Sequence, residues 1–314
     1  MKITFWGTRG SLPTPGKSTI EYGGNTTTLE CITQADETYI LDAGSGIREL
    51  GNALMAKYKG KVNAKILITH EHYDHIQGFP FFTPAYVPGC EIEVYAGNKS
   101  KPEQFSGNSK ATLEDMIRTA QTNKSDGTNY TKEIFDGQQN KKKGYFPVEI
   151  KDMGANIKFA ELNGAEIKGK GINISYIFHS AHPGGMLAYK LEENGKTAVF
   201  TGDYEHDGAP NFDFGQNDRK IIDFAKGADV LIIDGQYTPE EYAKKKGWGH
   251  SQIERICEIA IAAQAKQVYV THHDPMHTDA TLNQMQERTK KYMAEVLKSD
   301  IKIDYAKEAM TVEV

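Results

Sequence analysis

Four side chains able to bind a metal, His70, His72, Asp74 and His75, fall within six residues, directly after the apolar run Ile66-Leu67-Ile68. The run is short, apolar and mostly β-branched, which predicts a buried strand. A strand that stops at such a cluster brings its side chains to one edge of a sheet. Two imidazoles in an i, i+2 relation, here His70 and His72, point to the same side of extended chain. Asp74 and His75 fall on the turn that follows, so the cluster can serve two adjacent ions. Three of the ten histidines in the chain sit in this segment, interleaved with carboxylates. Packing or a solvated face does not account for that density. The helical zinc motif H-E-x-x-H does not apply, because position 74 is Asp.

The 314 residues suit one large α/β domain or two small ones, either able to bury a sizeable core. The charge of -5 lacks the basic field of a general nucleic-acid binder. The start, Met1 to Trp6, turns at once into Gly7-Thr8-Arg9-Gly10, with no apolar leader, and no 18-residue apolar run occurs. Three scattered cysteines, Cys31, Cys90 and Cys257, argue against a disulfide framework. These features predict a cytoplasmic protein with no membrane partner.

Strands are expected at 2–6, 27–33, 38–41, 65–69, 148–150, 157–162, 172–178, 186–191, 196–201, 230–233, 267–271, 301–304 and 309–313. Glu193-Asn194-Gly195 predicts a hairpin turn. Helices are expected at 47–58, 217–226, 251–266 and 279–298, the third opened by a Ser251/Glu254 capping box. The polar stretch 98–147, with a short helix at 111–121, reads as an insertion, a lid or an oligomer contact. Tyr130, Phe135, Tyr145 and Phe146 there suit either local packing or stacking on a base. The whole predicts two sheets covered by helices.

The strand-end pattern recurs. Strands lead into His179-Ser180-Ala181-His182-Pro183, Thr201-Gly202-Asp203, Asp234-Gly235 and Thr271-His272-His273. Ligands at the ends of successive strands converge on one sheet edge, with their loops open to substrate. Either histidine of each pair, His179 or His182 and His272 or His273, can be the ligand. His273 and His277 read as substrate-facing or surface residues, and His206 as exposed or near the metals.

In this order the residues resemble a metallo-β-lactamase-fold hydrolase of the ribonuclease Z and phosphodiesterase branch. His70, His72, Asp74 and His75 match its H-x-H-x-D-H signature. The Phe5–Ser11, Tyr22–Asn25, Asp42–Gly46 and Gly247–Ser251 segments are similar to a bacterial subgroup, and the likeness fails over about 98–130. The resemblance implies an α/β fold, an αββα sandwich of two mixed sheets in a single domain over 1–314. It implies two divalent metal ions, zinc first and manganese second. His70, His72 and His182 would hold one, Asp74, His75 and His272 the other, with Asp203 bridging. The later positions favour His182 over His179 and His272 over His273.

The same resemblance implies a phosphodiesterase in which a metal-bridging hydroxide attacks phosphorus. Asp74 would orient the nucleophile and His250 would protonate the leaving oxygen, with Asp234 behind it. Arg9 and Lys17 are candidates for extra positive charge. The expected substrate is a small phosphodiester, foremost a cyclic nucleotide. His182 and Asp203 are only 21 residues apart, too close for the tRNA-gripping arm of ribonuclease Z. A tRNA 3′-processing nuclease, with Lys141–Lys143 facing RNA, is the alternative, and a non-catalytic metal-binding regulator a further one. A homodimer is expected from the resemblance.

Overall fold

The computed structural model describes residues 1–97, 130–140, 142, 146–162 and 166–314. Among these residues two seven-stranded sheets lie face to face. In spatial order the first comprises β14 (Thr311–Glu313), β1 (Lys2–Gly7), β2 (Thr28–Ile32), β3 (Thr38–Leu41), β4 (Asn63–Leu67), β5 (Glu91–Gly97) and β6 (Asn156–Leu162). The second comprises β13 (Lys302–Tyr305), β12 (Gln267–Thr271), β11 (Val230–Asp234), β10 (Lys196–Phe200), β9 (Met186–Glu193), β8 (Ile172–His179) and β7 (Ile167–Lys168). Strands β3 to β6 and β10 to β13 are parallel, and all other neighbours antiparallel, so both sheets are mixed.

The period of two along each strand builds the layers. Leu67 of β4 points into the space between the sheets, with Phe5, Leu29, Leu187, Phe200 and Ile232. Ala64 and Ile66, on the opposite face, pack against α1 (Ile47–Lys57) through Leu50 and Leu54, near Phe135 of α3 (Tyr130–Gln138). The second sheet turns Val199, Leu231 and Val268 outward onto α4 (Gln216–Phe224), α6 (Ile253–Ala262) and α7 (Asp279–Lys291). Burial on both faces explains why these parallel strands read as continuous apolar runs. The result is the expected αββα sandwich.

Asn194 and Gly195, at φ of 51° and 75°, make the predicted hairpin turn between β9 and β10. Several expectations change. Residues 148–150 lead into a short 3-10 turn, Ile150–Asp152, instead of a strand. Ser251 does not cap α6. Gln252 does so by accepting the Glu254 N–H, while the Ser251 hydroxyl donates to the Tyr204 carbonyl at 2.6 Å. A further helix, α5 (Pro239–Lys245), starts from a Thr238/Glu241 capping box. The expected helix at 111–121 and most of 98–147 lie outside the described residues. No helix among the described residues is long and apolar enough to cross a membrane.

Candidate metal centre

Parallel strands present their carboxyl ends at one edge, and the loops leaving those ends carry the reactive side chains. β4 leads to His70, His72 and, on the short helix α2 (Tyr73–Ile76), to Asp74 and His75. From the second sheet, β8 leads to His182, β10 to Asp203, β11 ends on Asp234 and β12 leads to His272. Two groups form. Ligand atoms of His70, His72 and His182 lie within 4.8 Å of one another, as do those of Asp74, His75, Asp203 and His272. His72 alone among these seven is exposed.

Each buried imidazole is held from outside by its Nδ1. His75 donates to Asp42 Oδ2 at 2.8 Å, His182 to the Gly249 carbonyl at 2.9 Å, and His272 to Gln236 Oε1 at 3.2 Å. His70 Nδ1 meets Thr69 Oγ1 at 3.0 Å, and that hydroxyl bonds onward to Asp42. All four Nε2 atoms therefore face the Asp203 carboxylate, at 3.5 Å for His70, 3.1 Å for His75, 3.9 Å for His182 and 3.2 Å for His272. His72 offers Nδ1 at 2.9 Å from His182 Nε2.

His70 Nε2 is buried without a hydrogen-bond partner. An inward lone pair with no donor is costly unless a cation meets it. The donor set, imidazole nitrogens and carboxylate oxygens, is one that zinc or manganese accepts. The residues thus fit the implied ions.

The electrostatics point the same way. Burial, reinforced by the neighbouring His75, pushes His70 well below the ordinary imidazole value, and burial lowers His182 to about 4. Burial also works against charge on His75 and His272, but Asp203, Asp74 and neighbouring carboxylates outweigh it. They hold His75 well above the ordinary value and raise His272 to about 9. Burial would raise Asp203 and Asp74, yet His272 and His75 hold both carboxyls well below their usual range. The carboxylates that draw protons onto these two imidazoles would equally favour a divalent cation in the protons' place.

Local backbone geometry serves the same end. Asp42 and His272, each just past a strand, adopt φ of 62° and 61°. Left-handed backbone costs a non-glycine residue of order 1 kcal/mol or more, so neighbouring contacts must enforce it. Asp42 is anchored by the Thr69 N–H at 2.7 Å. Beside His272, Gly10 is required: a Cβ there would lie 2.3 Å from the imidazole. The loop through Gly10 brings the Ser11 N–H to Asp74 Oδ2 at 2.8 Å.

His250 lies beside the second group. Its ring stacks on His272 with centroids 4.6 Å apart, and its Nδ1 donates to Asp234 Oδ2 at 2.7 Å. Asp234 also accepts the N–H of Tyr204 and of Gln236.

The remaining histidines take structural places. His179 is buried behind the site, Nε2 toward the Thr201 carbonyl at 3.4 Å and its ring against Tyr204. His273 is buried, not substrate-facing, and bonds the Ala306 carbonyl while stacking on Tyr305. His277 is buried against Glu241 at 2.8 Å, and His206 is buried with its ring on Tyr242. Arg9, expected to face an anion, is fully buried and donates to the carbonyls of Gly23, Asp274 and His277. Lys17 is exposed. Glu71 accepts from the Tyr130 hydroxyl at 2.8 Å, Phe135 packs on Phe79, and Phe146 on Phe81. Lys141, Lys143 and Tyr145 lie outside the described residues.

Residues assigned no site role from the sequence also build the site. Asp42, Gln236 and Ser11 orient ligands, and Glu205 accepts the N–H groups of Gly247 and Gly249 just before His250. Asp42 carried the signal that marked Asp203, an aspartate closing a strand beside glycines, and could have been found by it.

The sequence profile described as "Beta-lactamase superfamily domain" matches residues 37–273. The chain belongs to that superfamily. Its fold is the metallo-β-lactamase fold. Among superfamily relatives, a protein named ribonuclease Z from Enterococcus faecalis is 25% identical, covering 91% of each chain. Another of that name, from Methanosarcina mazei, is 24% identical over 89% of each. Among solved superfamily structures, the metallo-β-lactamase fold protein YhfI from Bacillus subtilis superposes with a TM-score of 0.63. It is 16% identical, and the match covers 100% of this chain and 99% of YhfI.

Proposed function

We propose that the chain is a metal-dependent phosphodiesterase acting on nucleotide phosphodiesters. The observation that carries this is the convergence of four imidazole Nε2 atoms on the carboxylate of Asp203. A shared carboxylate between two ligand groups suits a pair of divalent ions. His70, His72 and His182 would hold one, Asp74, His75 and His272 the other, and Asp203 both. Bound there, zinc or manganese supplies Lewis-acid charge for the phosphoryl oxygens and lowers the pKa of a coordinated water.

The chain's own residues do the rest. Thr69, Asp42, Gly249 and Gln236 fix the imidazole tautomers, so the ligand set needs little rearrangement. The Ser11 N–H holds the Asp74 carboxylate in place, and Asp74 orients the attacking water. His250, oriented through its Nδ1–H by Asp234, would act in its doubly protonated form, giving the Nε2 proton to the leaving sugar oxygen and ending as the neutral Nδ1–H ring.

Two substrate classes follow. The full-length relatives named ribonuclease Z favour a 3′-processing cut in precursor tRNA, and this reading has the broader support. The tight hairpin joining β9 to β10 leaves no arm between His182 and Asp203, which favours a smaller substrate such as a cyclic nucleotide. Parallel assays of the metal-loaded protein on precursor tRNA and a cyclic-nucleotide panel separate them. Asp203→Ala is expected to lose metal and phosphodiesterase activity together; full retention of both would overturn the shared-carboxylate reading.

A further inference from the structure

We infer that Trp248 is a stacking platform for a nucleobase of the substrate. The residue is 62% exposed, although large aromatic residues are usually covered. It does not sit on a loose loop. One carboxylate, Glu205, accepts the N–H of Gly247 at 2.6 Å and of Gly249 at 2.7 Å, clamping the chain on both sides of the tryptophan. The Trp248 N–H itself donates to the Lys245 carbonyl at 3.1 Å. Gly247 and Gly249 adopt φ of 86° and 95°, which other residues rarely take. The Lys245 ammonium, tied to Asp274 at 2.8 Å, lies 6.0 Å from the indole centre.

This clamped loop is continuous with the metal centre. The Gly249 carbonyl orients His182, and a Cβ on Gly249 would lie 2.3 Å from His182 Nδ1. The next residue is His250. Leu12 and Met276 are also exposed, the first next to Ser11 and the second four residues after His272. An exposed aromatic ring on a loop fixed beside a candidate cation site suits a substrate with an anionic group and a planar apolar one. Among phosphodiesters, the nucleotide has both. Every base offers a π-face, so a rigid, solvent-facing indole can bind one without reading its sequence.

The inference rests on the proposed phosphodiesterase reading, and two measurements keep the two apart. The first compares thymidine 5′-(p-nitrophenyl phosphate) with methyl p-nitrophenyl phosphate, which share a leaving group and differ in the nucleoside. Trp248→Ala is expected to lower the ratio of their kcat/KM values about five- to a hundredfold, mainly through KM, with Trp248→Phe restoring most of it. An unchanged ratio, as from a tryptophan that only supports the loop or contacts a second copy, overturns the platform. The second needs no turnover. The chain has two tryptophans, so in Trp6→Phe the emission comes from Trp248 alone. Adenosine 5′-monophosphate should quench it and ribose 5-phosphate should not. Equal quenching by both, or by neither, overturns the inference even in a protein that hydrolyses no phosphodiester.

Discussion

Asp42 accepts the Nδ1–H of His75 at 2.8 Å, and the opposite nitrogen of the same ring stands 3.1 Å from Asp203. One buried carboxylate thus aims an imidazole at another. Carboxylate–imidazole pairs of this kind fix the ring tautomer and raise its basicity toward a metal. Asp42→Asn is therefore expected to weaken metal affinity about ten- to a hundredfold. Competition with a chromophoric chelator measures it, and unchanged affinity would remove Asp42 from the metal centre.

The His250–Asp234 contact yields a prediction that separates proton donation from metal binding. His250→Ala should keep its metal and lose about a hundred- to ten-thousandfold in kcat on a substrate with a poor, sugar-like leaving group. On bis(p-nitrophenyl) phosphate, whose leaving group needs no proton, the loss should be far smaller. Equal losses on both substrates, or a loss of bound metal, would contradict the role.

Arg9 offers a test of structure against substrate binding. Its guanidinium joins the Gly23 carbonyl to two carbonyls in the loop after His272. Arg9→Met removes those donors and leaves buried carbonyls unpaired, a cost of about 1–3 kcal/mol per group. Denaturant unfolding should show a loss of several times the ordinary surface effect. A variant of unchanged stability but raised KM would return Arg9 to the substrate.

Buried histidines that belong to neither ligand group predict acid sensitivity. Burial lowers His179 to about 4, His206 to about 3 and His273 to about 3. The folded-state pKa is below the unfolded one, so the unfolded chain binds protons first as pH falls. The contribution is intact above about 6.5 and is lost as pH falls toward 4, each residue costing roughly 1.4 kcal/mol per pH unit. Urea unfolding of the metal-free protein between pH 7 and 5 should show this slope, and His179→Gln should flatten it. A pH-independent midpoint would contradict it.

Which residues meet was legible where the chemistry is dense and local. His70 to His75 follow a short apolar strand, and strand geometry alone brings such side chains to a sheet edge. His182, Asp203 and His272 were legible because each follows another such strand, and their order matches a known pattern. Direction in loops was not legible. Arg9 read as charge for an anionic substrate, His273 and His277 as substrate-facing or surface residues, and His206 as exposed or near the metals, because polar residues in loops usually face outward. Each is buried on a carbonyl, a carboxylate or an aromatic ring contributed from elsewhere in the chain. The capping-box reading of Ser251 was outcompeted in the same way, by the Tyr204 carbonyl 47 positions away.

The sequence by itself determined the layered α/β architecture and the strand ends at which histidines and aspartates gather, since both depend on short-range periodicity and on residue types at strand ends. Only the tertiary structure decided how those ligands are aimed. Asp42 with His75, Gly249 with His182 and Gln236 with His272 are pairs separated by 33, 67 and 36 positions. Hydrogen bonds across such separations exist only once two sheets have packed and brought their strand ends together. The same packing clamps Trp248 in solvent beside the site, a placement its position in a glycine-rich loop does not specify.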